Sequence, residues 1–113
     1  MPTKYRVLGQ AAPANNVYAD IYAVPAGNSA IISTLNVCNQ TLSNVIFRVA
    51  IKQGNTTPGA SPVQKQFIAY DVALPAQDAI GLTLGMTLDA NDVVTVHSFQ
   101  GNVSFNLFGS EIY

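Results

Sequence analysis

A chain of 113 residues is long enough for one domain with its own apolar core, yet only 10% of it is charged and its net charge is −1. Its five basic residues, Lys4, Arg6, Arg48, Lys52 and Lys65, are scattered, leaving no basic stripe to neutralise nucleic-acid phosphates. No run approaches the ~18 apolar residues of a membrane helix, the first residues lack the apolar core of an export signal, and the single cysteine, Cys38, excludes an internal disulfide framework. Average soluble domains carry about 25% charged residues. Asn, Gln, Ser, Thr and Ala take their place here, a surface that packs against other subunits at little desolvation cost. We therefore expect a subunit of an assembly.

Along the chain, residues 4–8 alternate as a short strand and lead into a Pro- and Asn-containing loop ending at Asn15 and Asn16. Residues 17–24 set Val17, Ala19, Ile21 and Ala23 against Tyr18, Asp20 and Tyr22. Residues 29–38 form a longer β run with Ile31, Leu35 and Val37 expected on one side. Residues 45–51 alternate most cleanly, with Val45, Phe47, Val49 and Ile51 inward and Arg48 and Lys52 outward. The stretch 52–63 has two Gly, two Pro and no periodicity and reads as an exposed loop. Residues 64–72, 79–84, 93–98 and 103–108 complete about eight strands, with a bend expected at Gly85.

Three stretches repeat one pattern: Val24-Pro25-Ala26-Gly27-Asn28, Leu74-Pro75-Ala76-Gln77-Asp78 and Leu88-Asp89-Ala90-Asn91-Asp92. Each is turn chemistry preceding a β-rich run, as in a chain folding back on itself antiparallel. The expected fold is all-β, an antiparallel sandwich of about eight strands, most simply jelly-roll-like. An immunoglobulin-like sandwich competes with it, although the chain has no Trp and lacks the Cys…Trp…Cys pattern. Residues 1–16 read as an N-terminal extended arm with a short strand and 17–113 as the sandwich domain.

Chemistry-bearing patterns are sparse. His97 is the only histidine and sits in an alternating strand, which favours a structural role over a Ser-His-Asp arrangement. One His and one Cys cannot build a usual zinc or iron site. Asp89, Asn91 and Asp92 could offer oxygens to calcium, but they are also good turn residues. Gly54 and Gly59 have phosphate-loop spacing without the Lys or the following helix. No catalytic, metal or cofactor site is expected, and the chain is not expected to be an enzyme. The tyrosines suit subunit contacts better than a sugar platform.

The opening Lys4-Tyr5-Arg6-Val7-Leu8-Gly9-Gln10, the central Ile68-Ala69-Tyr70-Asp71-Val72 and Leu84–Val96, and the closing Phe105–Ile112 together resemble small virion structural proteins of tailed phages infecting cyanobacteria and other aquatic bacteria. The resemblance spans most of the chain except 52–63 and rests on strand and turn residues. It implies a non-enzymatic virion protein, first a capsid decoration (cement) protein. Such a protein would form a homotrimer on the capsid exterior, contacting major capsid protein or other virion proteins, with no nucleic acid, membrane or cofactor. A tail, baseplate or fibre subunit, or a host-glycan-binding module, are the alternatives. Candidate partner-contact residues are Tyr5, Arg6, Asn15, Asn16 and Tyr113.

Overall fold

The computed structural model describes residues 3–54 and 61–113. Residues 55–60, which hold most of the Gly54–Gly59 pattern and the middle of the expected 52–63 loop, lie outside the described residues. Eight strands are present: β1 (Thr3–Ala11), β2 (Val17–Ala23), β3 (Ser29–Asn39), β4 (Val45–Lys52), β5 (Phe67–Leu74), β6 (Ala79–Leu88), β7 (Val93–Ser98) and β8 (Val103–Ile112). A 3₁₀ turn, Gln64–Gln66, precedes β5.

The strands form two four-stranded sheets, ordered β1-β8-β3-β6 and β2-β7-β4-β5, and every pairing is antiparallel. This is the jelly-roll order, in which the chain alternates between two packed sheets. The repeated turns share one geometry. Asn28, Asp78 and Asp92 each donate their backbone N–H to the carbonyl three residues earlier, at 3.1, 3.2 and 3.2 Å. The third residue of each turn has positive φ: Gly27 82°, Gln77 55° and Asn91 68°. Turns of this kind need a residue tolerant of that conformation, and Gly and Asn supply it most readily. None of the three closes a hairpin, however. They join β2 to β3, β5 to β6 and β6 to β7, and each carries the chain from one sheet to the other. Folding back within one sheet is thereby corrected to crossing between sheets. Among consecutive strands only β4 and β5 pair.

Period-2 alternation supplies the core. Ile32, Leu35 and Val37 of β3 and Phe105 and Leu107 of β8 face Val45, Phe47 and Val49 of β4 and Val94 and Val96 of β7, all fully buried. The Phe47 and Phe105 rings meet edge to face at 6.1 Å across the sheets. Each such side chain contributes about 1.5–3 kcal/mol when removed from water.

Two expected orientations are corrected, one by a local irregularity and one by burial of an outward position. A bulge in β3 shifts the register between Ile32 and Thr34 against both neighbours. The inserted residue reverses the alternation, so Ile32 joins Leu35 and Val37 inside while Ile31 is exposed on the outer face. The matching irregularity in β6 contains Gly85 at φ 60°, where the bend was expected. Lys52 occupies an outward position on β4 yet is fully buried, its Nζ 2.8 Å from Asp20. Thr95 of the intervening β7 donates its hydroxyl to the same Asp20 oxygen at 2.8 Å. Every residue of β7 is buried, so this central strand of the second sheet is covered on its outer face as well.

Candidate interaction surfaces

The residues singled out from the sequence fall at two ends of the molecule. Tyr5, 84% exposed, projects from the edge strand β1 opposite Ser110. Tyr113 is exposed just beyond Ile112, which pairs with Thr3, so the two tyrosines share one end of the first sheet. Arg6 is committed internally: its Nε lies 3.4 Å from the buried carboxylate of Glu111. The Tyr22 hydroxyl donates to the other Glu111 oxygen at 2.6 Å. Burial first, and then this bond to a carboxylate, push the Tyr22 pKa well above the ordinary tyrosine value. The trio ties β1 and β8 to β2 of the opposite sheet. Asn15 and Asn16 lie at the other end. Asn16 has φ 57°, donates its N–H to the Ser98 carbonyl at 2.9 Å, and turns its side-chain oxygen to His97; Asn15 is exposed.

The larger open concavities among the described residues include one on the outer face of each sheet. One, about 780 Å³, is on the first sheet and is lined by Tyr5, Ile31, Phe108 and Ile112 with Thr3 and Ser110 at its polar margin. Its apolar character follows from the β3 bulge, which turns Ile31 outward beside Phe108.

The other, about 660 Å³, is on the second sheet and is lined by Tyr18, Arg48, Pro62, Gln64, Phe67 and Tyr70. Its floor is one transverse row: Tyr18 of β2 pairs with His97 of β7, which pairs with Arg48 of β4. On β5 the register breaks opposite Arg48, and Asp71 adopts φ 51°. That bulge aims the Asp71 carboxylate at Arg48. Arg48 donates from Nε to Asp71 at 2.6 Å and from Nη1 to the Tyr18 hydroxyl at 2.9 Å. Its guanidinium also lies 4.1 Å from the Tyr70 ring centre and 4.8 Å from that of Phe99. The Asp71 bond raises the Arg48 pKa still further, so the guanidinium is charged throughout the working pH range.

His97 is fully buried between Tyr18 and Phe99, with ring centres 4.4 and 4.8 Å away. Its Nε2 lies 3.0 Å from the Asn16 side-chain oxygen, and Nδ1 has no partner among the described residues. Nε2 therefore carries the proton and donates it to Asn16. Burial, and then the Arg48 charge, hold the His97 pKa below its ordinary value, with Asp71 opposing. No carboxylate or serine hydroxyl is bonded to this ring among the described residues, which leaves it without the partners of a hydrolytic triad.

In the Asp89–Asp92 turn the carboxylates serve the backbone. Asp92 accepts from Asp89 N–H and Gly54 N–H, both at 2.9 Å, and Asp89 accepts from Ala90 N–H at 2.8 Å. Among the described residues no three His, Cys, Asp or Glu side chains converge as a metal site. Cys38 is half-buried.

The Arg48 row was hidden from sequence reasoning because its members are far apart in the chain. The outward setting of Arg48 was legible. Its common row with Tyr18 and His97 required the strand order, and the role of Asp71 required the bulge.

No protein-family model matches the sequence, and no curated protein matches it. Solved structures do. A chain in the acid-stable capsid structure of Helicobacter pylori bacteriophage KHP30 superposes with TM-score 0.54 at 17% identity, over 99% of this chain and 92% of that one. A chain in the structure of infectious bursal disease virus, Gx strain, gives TM-score 0.54 at 12% identity over 97% of this chain. This protein spans 32% of that viral chain's length. At these identities the likeness is one of fold: this chain is an eight-stranded jelly roll of the kind found in viral capsid structures.

Proposed function

We propose that the protein is a virion structural protein that decorates the capsid exterior as a homotrimer and cements junctions between major capsid subunits. The observation that carries this reading is the match along nearly the full length of both chains to a component of a phage capsid structure. The surface supports it too. A charge-poor exterior meets another protein at little desolvation cost, and the first sheet presents Tyr5, Ile31 and Phe108 together on its outer face. Aromatic rings beside aliphatic side chains with a polar margin are the composition of interface centres. A stable contact buries roughly 1,600 Å² in total, so this face needs neighbouring surface to complete it. In our reading β1, the edge strand of the first sheet, supplies that surface through Tyr5, with Tyr113 beside it, and the exposed Asn15 and Asn16 make a second contact at the other end of the molecule. Cementing is mechanical: area buried across a junction must be re-exposed before the junction opens under internal pressure.

Cryo-electron microscopy of particles carrying this chain tests the proposal. Trimeric density on the capsid shell at threefold or quasi-threefold junctions, with occupancy reduced by Tyr5→Ala, is the expected result. Density confined to the tail overturns the reading.

A further inference from the structure

We propose that β6, at the edge of the first sheet away from β1, accepts a strand from another polypeptide: an extended segment, apolar at alternate positions and uncharged along its middle, with Lys or Arg at both ends. A sheet edge is a row of backbone donors and acceptors, and proteins keep unwanted strands off it with charges, prolines and bulges. Three of the four edges in this fold carry both a charge and a break in register. β1 has Lys4, Arg6 and the break at Val7/Gly9, β2 has Asp20 beside its break, and β5 has Asp71 beside its own. β6 runs for ten residues with no charge and no proline, and its irregularity at Gly85 leaves Ala79–Leu84 regular.

The pairing with β3 decides which backbone groups are on offer. Asn39 donates its N–H to the Asp78 carbonyl at 2.9 Å, and the next pair is Cys38 with Ala79. Bonded and non-bonded pairs alternate in an antiparallel ladder. Ile80 and Leu82 therefore bond to β3, while Gly81 and Thr83 turn N–H and C=O to the open edge. Both are exposed, and the outward side chains from Ala79 to Thr87 are all Ala, Gly or Thr, too small to shield the backbone. The inward side chains are within reach as well. Ile80, Leu82, Leu84 and Met86 are only half-buried. So are Ala69 and Val72 on β5, the edge strand of the other sheet that the Pro75–Asp78 turn joins to β6. The opposite side of the sandwich is shut: a Cβ on Gly9 of β1 would clash with the Ile21 carbonyl of β2, and Leu8 and Ile21 are buried. A strand added to β6 gains main-chain hydrogen bonds from Gly81 and Thr83, and every second side chain enters the open seam.

Charge selects the occupant. Asp78 and Asp89 are exposed at the two ends of β6, and no Lys or Arg lies on β6, on β3 or in the turns at either end of β6. A segment with basic ends meets an acid at each, whereas one with acidic ends is repelled. A second copy of β6, paired antiparallel, would bring Asp78 of each chain toward Asp89 of the other, like charge toward like. This inference does not depend on capsid decoration, because strand binding is read on the isolated chain.

The test is NMR titration of the isotope-labelled full chain with a panel of short peptides in which Thr alternates with Val, Leu or Phe, ended by Lys-Lys or by Asp-Asp. We expect saturable shifts and slowed amide exchange at Gly81 and Thr83 with at least one Lys-ended peptide, with a Kd on the order of 100 μM. Its Asp-ended counterpart should bind about tenfold more weakly at low salt. Thr83→Pro removes an outward N–H, a position where an edge strand tolerates proline, so the variant should fold and lose binding while Thr83→Val keeps it. N-methylation of the peptide at alternate residues should abolish binding in one phase and spare it in the other, a result that needs no change to the chain. The proposal is overturned if no Lys-ended peptide gives saturable shifts at Gly81 and Thr83, if Asp-ended peptides bind equally well, or if both methylation phases bind alike. A dimer of the peptide-free chain that Thr83→Pro dissolves assigns the edge to a second copy and overturns it too.

Discussion

Replacing Arg48 with methionine tests whether the row on the second sheet holds β5 to β4. The pair with Asp71 is short, but the carboxylate side chain is 43% exposed, so solvent screens it and it contributes about 0–1 kcal/mol. The bond to the Tyr18 hydroxyl contributes about 1 kcal/mol. Guanidinium contacts with the Tyr70 and Phe99 rings add about 1 kcal/mol, because the Arg48 side chain is only 16% exposed and partly desolvated. Methionine keeps some packing on the rings, and Asp71 rehydrates. The expected net loss is therefore about 2 kcal/mol, or roughly 8 °C in Tm for a domain of this size. Asp71→Asn keeps an acceptor oxygen and should cost about 0.5–1 kcal/mol. In a double-mutant cycle by urea unfolding, the two substitutions should couple by about 0.5–1 kcal/mol. If Arg48→Met lies within about 0.5 kcal/mol of the parent, or the coupling vanishes, the row is decoration on a sheet stabilised elsewhere.

Two further outcomes follow from the packing. A Cβ on Gly109 would lie 2.2 Å from the Ile31 carbonyl oxygen and 3.1 Å from Ile32 Cα, both backbone atoms of β3; Gly109→Ala should cost about 3 kcal/mol in chemical denaturation. Gly81→Ala, whose Cβ meets nothing nearer than 3.9 Å, should be close to neutral, and equal costs for the two would refute the steric argument. His97, the only histidine, has a folded-state pKa below its unfolded value near 6.5, so between those two values the unfolded state binds more protons. Stability should therefore be fully present above pH ~6.5 and decline as pH falls toward the folded pKa. His97→Gln should flatten urea midpoints measured between about pH 5 and 7, and an unchanged slope would place the pH dependence elsewhere.

Strand content was legible in the sequence because its signals are local. The inward set Val45, Phe47 and Val49 follows from alternation alone, and the four-residue turns at Pro25, Pro75 and Asp89 follow from their Pro, Gly, Asn and Asp turn residues. Orientation failed at Ile31, where an inserted residue reversed the faces, and at Lys52, whose outward position is covered and paired with Asp20. Neither event has a local signature. A bulge is chosen by what the neighbouring strands require, and a lysine is buried only where a carboxylate from another strand arrives to meet it.

The same distinction separates fold from function. Alternation and turn chemistry are properties of a few consecutive residues, so the sequence by itself determined an all-β chain of about eight short strands joined by tight turns. Which sheet each turn leads into, and which distant residues meet in one row, depend on the long-range pairing of β2 with β7 and β7 with β4. Only the tertiary structure could bring Tyr18, Arg48, Asp71 and His97 together, because pairings between strands distant in sequence are selected by burial of the shared core.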